Sequence, residues 1–428
     1  MPLKRPAAGG ESWSRIHYSS LILSPVGDII PMAGILRGTG WNNRMKQQRM
    51  GTYGMKRIKA FAKKETVLSA AIVLALVSMV LVKPDKEYLA YMDYRTMGLL
   101  FCLMTVMAGF NRLGVFRAAG GKLLGRVSRA GCVAAVLVYL CFFFSMIITN
   151  DVALITFVPF GITVLKMAGM EAMVVPVVLL QTIGANLGSM MTPVGNPQNL
   201  YLYSRAGIPA LDFVGLMMPY TLASFALLGI GLIIVGRLFR GLKRGEECRE
   251  GKTCPGEKLP LGPLFTYTAL FGLSICCVAH MLPWQLLLIL VLAAVWMGDR
   301  SLLLAVDYSL LATFGAFFIF IGNMGRVPAF CRMLEDILNG REILTAVAAS
   351  QVLSNVPAAL LLSGFTDRWE CLIVGTNLGG LGTLIASMAS LISYKYIARL
   401  YPMYRGRYLA WFTAVNLAFL AVLLWIAL

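Results

Sequence analysis

Thr149, Asn150 and Asp151 stand side by side in the middle of FFFSMIITNDVALITFVPFG (142–161), a run that is otherwise almost wholly apolar. A hydroxyl, a carboxamide and a carboxylate in succession are hard oxygen ligands of the kind sodium takes, and a carboxylate can also bind and release a proton. An ionisable side chain among apolar neighbours is costly and more often marks an ion path than a packing role. Asp151 is therefore read as a cation-coordinating or proton-coupling group, with a protonated or paired structural carboxyl as the alternative. SQVLSNVPAALLLSGF (350–365) places Ser354 and Asn355 in a second apolar run in the same way. The two Asn can act as ligands or merely cap the helices that follow them.

Two further stretches interrupt apolar helices with glycine and small polar residues. GANLGSMMTPVGNPQNLYLY (184–203) offers Asn186, Gly188, Ser189, Thr192, Gly195 and Asn196, and GTNLGGLGTLIASMASLISY (375–394) offers Asn377, Gly379 and Thr383. A helix interrupted inside a membrane exposes N–H groups at one end of the break and C=O groups at the other, which lipid cannot satisfy. Such ends are expected to face a cavity, where the N-termini attract an anion and the carbonyls, with Asn, Ser and Thr oxygens, hold a cation. Sodium is assigned on this basis to Thr149, Asn150, Asn186, Asn355 and Asn377. No other cofactor and no catalytic residue is expected. Asp93 and Asp307 begin helices at matching places and are read as caps, and His280 beside Pro283 as structural.

The medium follows from composition. With 58% hydrophobic and 14% charged residues, and a mean hydropathy of +0.74, the chain has far more apolar surface than a soluble core of 428 residues can bury. It reads as a multi-pass membrane protein with the lipid bilayer as its main partner. The net charge of +18 lies in short segments between apolar runs, without an aromatic-interleaved basic domain, which argues against nucleic acid. The nine Cys are scattered without zinc-site spacing.

Runs of spanning length predict helices near 66–82, 94–113, 213–236, 263–281, 284–298, 306–325 and 408–427. The four interrupted regions recur in order. TNDVALITFVPF aligns on SNVPAALLLSGF, and the stretch from Gly184 on the stretch from Gly375, with Asn186 on Asn377, Gly188 on Gly379, Thr192 on Thr383 and Tyr203 on Tyr394. The segment from Asp93 matches that from Asp307. If each hairpin enters and leaves on one side while each broken helix crosses, the halves are inverted and the chain makes about nine full crossings. Basic residues agree with this: Lys56, Arg57, Lys59, Lys63 and Lys64, then Arg117, Lys122, Arg126 and Arg129, then Arg237, Arg240, Lys243 and Arg244, then Lys395, Arg399, Arg405 and Arg407, all fall on one side. The fold class expected is an all-α membrane protein of two inverted repeats, each with a re-entrant hairpin and a broken transmembrane helix. Its divisions are a disordered tail or over-long gene start (1–54), the first repeat (55–240), a cytoplasmic linker and connecting helix (241–283) and the second repeat (284–428). The N-terminus is expected in the cytoplasm and the C-terminus outside the plasma membrane.

At TNDVAL, GSMMTPVGNPQN and SQVLSNVPAALLL the chain resembles the ion transporter superfamily that groups citrate transporters, divalent anion:sodium symporters, arsenite exporters and one class of sodium/proton antiporters. It looks closest to a bacterial branch of anion permeases with a citrate-transporter-like domain. The resemblance implies a secondary active transporter that moves a small carboxylate or inorganic oxyanion by alternating access, coupled to sodium or protons. A cation/proton antiporter or an arsenite-type exporter on the same scaffold is the alternative. It also implies a homodimer. In the dicarboxylate symporters each hairpin tip carries Ser-Asn-Thr; here the triplets are Thr149-Asn150-Asp151 and Ser354-Asn355-Val356, so neither third residue donates a hydroxyl hydrogen bond.

Overall fold

The computed structural model describes residues 65–124, 127, 129–240 and 260–428. The tail 1–54, the basic flank from Lys56 to Lys64, Arg126 and the linker residues Lys243 and Arg244 lie outside the described residues. The described chain is helical throughout its length, as the apolar runs require. Its first helices are α1 (Thr66–Leu81), α2 (Tyr94–Arg112) and the short α3 (Val115–Leu124). A first hairpin follows, α4 (Ala130–Phe144) and α5 (Asn150–Met167), then a broken pair, α6 (Val174–Ser189) and α7 (Pro197–Ala206), and the long α8 (Ala210–Leu238). Helix α9 (Leu261–Val278) connects the halves. The second half runs α10 (Trp284–Met297), α11 (Tyr308–Met324), α12 (Pro328–Leu338), hairpin α13 (Glu342–Leu353) and α14 (Asn355–Leu362), broken pair α15 (Trp369–Leu378) and α16 (Met388–Leu400), and α17 (Arg405–Ala427). The same succession of elements thus appears twice.

Local chemistry sets the boundaries. Asp93 Oδ1 accepts from Thr96 N and Asp307 Oδ1 from Leu310 N, both at 3.0 Å, so both carboxylates cap helices. Gly114, at φ +72°, lets the chain turn by 52° between α2 and α3, and Pro328 at the first position of α12 follows a bend of 104°. Residues 117–129 and 331–342 lie outside the apolar runs predicted to span. Both contain a short helix, because charged residues on one face do not prevent the other from packing.

Five helices among the described residues are long and apolar enough to cross a membrane, or seven if each bent pair is one span. Helices α1 and α10 are shorter, and each broken pair divides its apolar length at the break. Burial separates roles: the span ending at Ser189 is 83% buried, whereas those of α8, α9 and α17 are 22–28% buried and present apolar side chains outward. Helices with that much outward apolar surface need lipid around them, so the protein is membrane-embedded.

The halves are interleaved. Helix α1 of the first half packs along α11 of the second, while α10 of the second packs on α2 of the first. Ion pairs repeat this exchange: Arg112 Nη1 lies 2.7 Å from Asp299 Oδ2, and Arg326 Nη1 lies 2.6 Å from Asp85 Oδ2. The bond from Arg326 holds the Asp85 carboxyl below its ordinary range. Both pairs are solvent-exposed, and each contributes little alone, about 0–1 kcal/mol. Arg326→Gln is accordingly expected to leave the thermal midpoint of detergent-solubilised protein within a few degrees of the parent.

Candidate functional site

The hairpins reach their tips beside the breaks. In the first, Thr149 takes an extended conformation and α5 starts at Asn150. Asn150 N donates to Gly195 O at 3.1 Å, its Nδ2 donates to Asn186 Oδ1 at 3.2 Å, and its Oδ1 accepts from Asp151 N at 2.9 Å. In the second hairpin Asn355 N donates to Ala386 O at 2.9 Å, and its Oδ1 accepts from Val356 N at 3.0 Å. Ser354 reaches this arrangement at φ +79°, a conformation rare for any residue with a side chain. Each hairpin tip is therefore fastened to the loop of its own half's broken helix.

The broken helices are fastened to each other. Asn186 Oδ1 accepts from Ser387 Oγ at 3.1 Å and its Nδ2 donates to Ser390 Oγ at 3.2 Å. Asn377 Oδ1 accepts from Asn196 Nδ2 at 3.0 Å, and its Nδ2 donates to Asn199 Oδ1 at 2.6 Å and Ile373 O at 2.7 Å. Each Asn before a break grips the residues that start the helix after the other break. Helix packing follows the same exchange, with α7 against α14 and α15, and α16 against α5 and α6.

The backbone groups freed by the breaks are largely satisfied within the protein. Asn196 caps α7 through Asn199 N at 2.8 Å. Asn199 Nδ2 reaches Ser189 O, Met190 O and Thr192 O at 3.2–3.4 Å, taking the place of the missing helical donors. In the second break Gln351 does the corresponding work, donating to Gly379 O at 3.0 Å and Leu381 O at 2.9 Å and accepting from Thr383 N at 2.9 Å. Thr192 Oγ1 donates to Met146 O and Thr383 Oγ1 to Gln351 O, each tying a break to the preceding hairpin. Ser189 Oγ donates to Asn186 O at 2.9 Å. Sequence reasoning sends all freed groups to a cavity. Side chains from neighbouring turns instead take many of them, which costs less than leaving them to a narrow space.

Glycines make this proximity possible. A Cβ on Gly188 would overlap Phe142 O and Ser145 Oγ, one on Gly379 would overlap Ser350, and one on Gly195 would overlap Ser189 O. The backbone atoms among these cannot swing aside. Gly188→Ala is expected to destabilise the protein by at least the ~1–3 kcal/mol typical of overpacking, read as a lower thermal midpoint and a smaller monodisperse fraction after solubilisation. Gly262→Ala, where nothing lies within 4 Å, is the neutral control.

The structure brings together all the residues singled out from sequence, but in different conditions. Asn150, Asn186, Ser189, Asn196, Ser354, Asn355 and Asn377 are buried. The Thr149 hydroxyl and the Asp151 carboxylate, both partly exposed beside Asn150, have no side-chain hydrogen bond or ion pair among the described residues. Sequence reasoning missed Asn199, Gln351, Ser387 and Ser390. Three of them had a signal: the alignment of the two breaks places Ser387 on Asn196 and Ser390 on Asn199. Among the described residues no cluster of three or more His, Cys, Asp or Glu forms a metal centre.

Comparison with known proteins agrees with this architecture. Residues 58–366 match the family model described as citrate transporter. The chain is 31% identical to the inner membrane protein YbiR of Escherichia coli over 348 residues, covering 80% of this chain and 88% of that protein. It is 30% identical to an uncharacterized transporter of Methanocaldococcus jannaschii, covering 77% and 87% respectively. A silicon efflux transporter of Oryza sativa is 28% identical over 182 residues, 42% of this chain and 36% of that one. A membrane-embedded helical chain with two hairpins, two linked breaks and this match over most of its length belongs to the citrate transporter family.

Proposed function

We propose that the protein is a secondary active transporter that moves a small anion, a carboxylate or an inorganic oxyanion, across the plasma membrane by alternating access. The observation that carries this reading is the reciprocal fastening at the two breaks. Asn150 to Gly195 and Asn355 to Ala386 are equivalent bonds, as are Asn186 to Ser390 and Asn377 to Asn199. Equivalent contacts exchanged between halves are what two inverted repeats closing on one midplane site would give. In that arrangement α1, α2, the first broken pair, α8, α9, α10, α11, the second broken pair and α17 make nine crossings. The N-terminus is then cytoplasmic and the C-terminus outside.

Because the breaks are tied together, they move as one body, and access alternates by motion of that body against the helices packed around it. The coupling cation, sodium or a proton, is drawn to the first hairpin tip. There the Thr149 hydroxyl and Asp151 carboxylate remain uncommitted, while Asn150, Asn186, Asn355 and Asn377 frame the site with amides that already have partners. The family description favours a carboxylate such as citrate; the silicon efflux transporter among the relatives favours an inorganic oxo species instead. The cation/proton antiporter reading rests on the same uncommitted Asp151. A dimer through the lipid-facing helices completes the proposed assembly.

Orientation is testable directly. A cysteine introduced at Asp336, in α12, is expected to react with a membrane-impermeant thiol reagent only from outside, and one at Lys122, in α3, only from inside. Labelling of both from the same face would remove the inverted arrangement.

A further inference from the structure

The turn between α9 and α10 places a histidine where a glycine is usual. Met281 N donates to Cys276 O at 2.9 Å and His280 N to Cys277 O at 3.1 Å, the paired bonds of a Schellman helix end, and they put His280 in the left-handed position at φ +62°. Glycine takes that conformation without cost, and an imidazole-bearing residue does not. The His280 ring is exposed beyond α9 and lies on the start of α2, where Arg95 Nη1 is 2.7 Å from His280 Nδ1 while Arg95 Nη2 donates to Cys277 O at 3.2 Å. One guanidinium thus grips both the side chain and the backbone of the turn. Tyr203, 2% exposed near the C-terminal end of α7, stands between Phe213 of α8 and the imidazole, with ring centroids 5.9 Å apart in each case. The grip therefore lies where α7, the helix that leaves the first break, meets α2 and the turn that α9 and α10 share.

This contact works in only one protonation state. A guanidinium can only donate, so His280 Nδ1 must be an unprotonated acceptor and the ring neutral, with its proton on Nε2. A proton on Nδ1 removes the acceptor and sets two cations against each other at hydrogen-bond distance. No carboxylate pairs with either residue among the described residues. Asp93, at the start of α2, is committed to Thr96 N at 3.0 Å and Thr96 Oγ1 at 2.7 Å, and Asp212, in the first turn of α8, makes no ion pair with them. The other titratable groups around the ring are the Tyr203 hydroxyl of α7 and the Cys277 thiol of α9, both neutral at physiological pH. Partial burial and the Arg95 charge hold the His280 imidazole below the ordinary histidine range. The fold thus favours the neutral ring, so the contact is complete above the free-imidazole value of about 6.5 and is lost as pH falls through the lowered one.

We infer that Arg95 and His280 form an acid-released clasp, closed at neutral pH and opened by a proton on the imidazole, which frees the α9–α10 turn from α2 and loosens the seat of Tyr203 at the end of α7. On the proposed orientation this proton comes from outside, so acidification there eases movement of the linked breaks against the helices around them. The clasp itself depends on neither orientation nor cargo. The chain has two histidines, so in the full chain carrying His17→Gln the isotope-labelled imidazole of His280 gives the sole histidine signal in NMR of nanodisc-embedded protein. It is expected to titrate below histidine in a free peptide of residues 276–284, and to move up towards that peptide when Arg95→Gln is added. Backbone hydrogen exchange over 276–284, corrected for the intrinsic pH dependence of exchange, is expected to rise several-fold between about pH 7.5 and about pH 5.5. His280→Asn keeps a neutral acceptor on a residue that tolerates the left-handed conformation, and should stay protected at both pH values. His280→Lys, charged throughout, should exchange rapidly at both. The titration and the exchange of the chain that keeps His280 decide the matter even where a variant fails to fold. An imidazole that titrates at the peptide value and is unmoved by Arg95→Gln, exchange equal at the two pH values, or exchange that rises as steeply in His280→Asn would overturn the clasp. Neither readout uses flux, so failure of the clasp and failure of the transporter reading are told apart.

Discussion

Asn377→Ala is expected to abolish transport and to lower stability by about 2–4 kcal/mol, from the loss of buried hydrogen bonds and the space left behind. The side chain is 4% exposed and serves two partners across the breaks, Asn196 and Asn199, and one in its own helix, Ile373 O. Its removal leaves Asn199 Oδ1 buried with no donor, while Asn199 Nδ2 must still hold three carbonyls of the first break. Reorientation of Asn199 would therefore free one set of groups to satisfy another. Asn186→Ala removes the equivalent grip on Ser387 and Ser390, and with it the acceptor of the buried Asn150 Nδ2, and should act in the same direction. Thermal unfolding in detergent, recorded beside uptake, separates the two effects. A stable, active Asn377→Ala protein would show that the breaks are not held by this exchange.

Asp151→Asn has the opposite profile. The carboxylate has no ion pair among the described residues, so its neutralisation strands no buried partner, and the fold should survive within about 1 kcal/mol, as for substitutions outside a committed network. Its effect should fall on coupling: the dependence of uptake on an imposed sodium or proton gradient should be lost, while residual exchange of anion persists. The Asn150 Oδ1 bond to the backbone N–H of residue 151 does not depend on the side chain there, so the hairpin tip keeps its shape. Gradient-dependent uptake equal to the parent would make Asp151 a structural residue. Loss of folding would instead reveal a partner that only another state of the protein supplies.

Much of this organisation is legible in the sequence because membranes restrict what a polar residue can mean. Asn150 and Asn355 in apolar runs announce hairpin tips, and Asn186 and Asn377, flanked by glycines, announce breaks. The seven uninterrupted helices fall within a few residues of the apolar runs. What the sequence does not display is how freed backbone groups are satisfied. Asn199 and Gln351 look like ordinary polar residues, and their roles depend on which turns come within 3.5 Å after folding. Ser387 and Ser390 stand in register with Asn196 and Asn199, yet the identities differ, so shared spacing rather than shared residue type is the signal. The amphipathic helices α3 and α12 are hidden for another reason: their charges resemble those of a connection, and only their packing distinguishes them.

Gradient-driven uptake into liposomes holding the purified full chain tests the central reading most directly, with labelled citrate, succinate, sulfate and arsenate each offered under an imposed sodium or proton gradient. Saturable accumulation of at least one of these anions, collapsing when the gradient is dissipated and absent from Asn377→Ala liposomes, is the expected result. Sodium-for-proton exchange that proceeds with no anion present, and without accumulation of any of the four, would contradict an anion transporter and leave the chain a cation antiporter on the same scaffold.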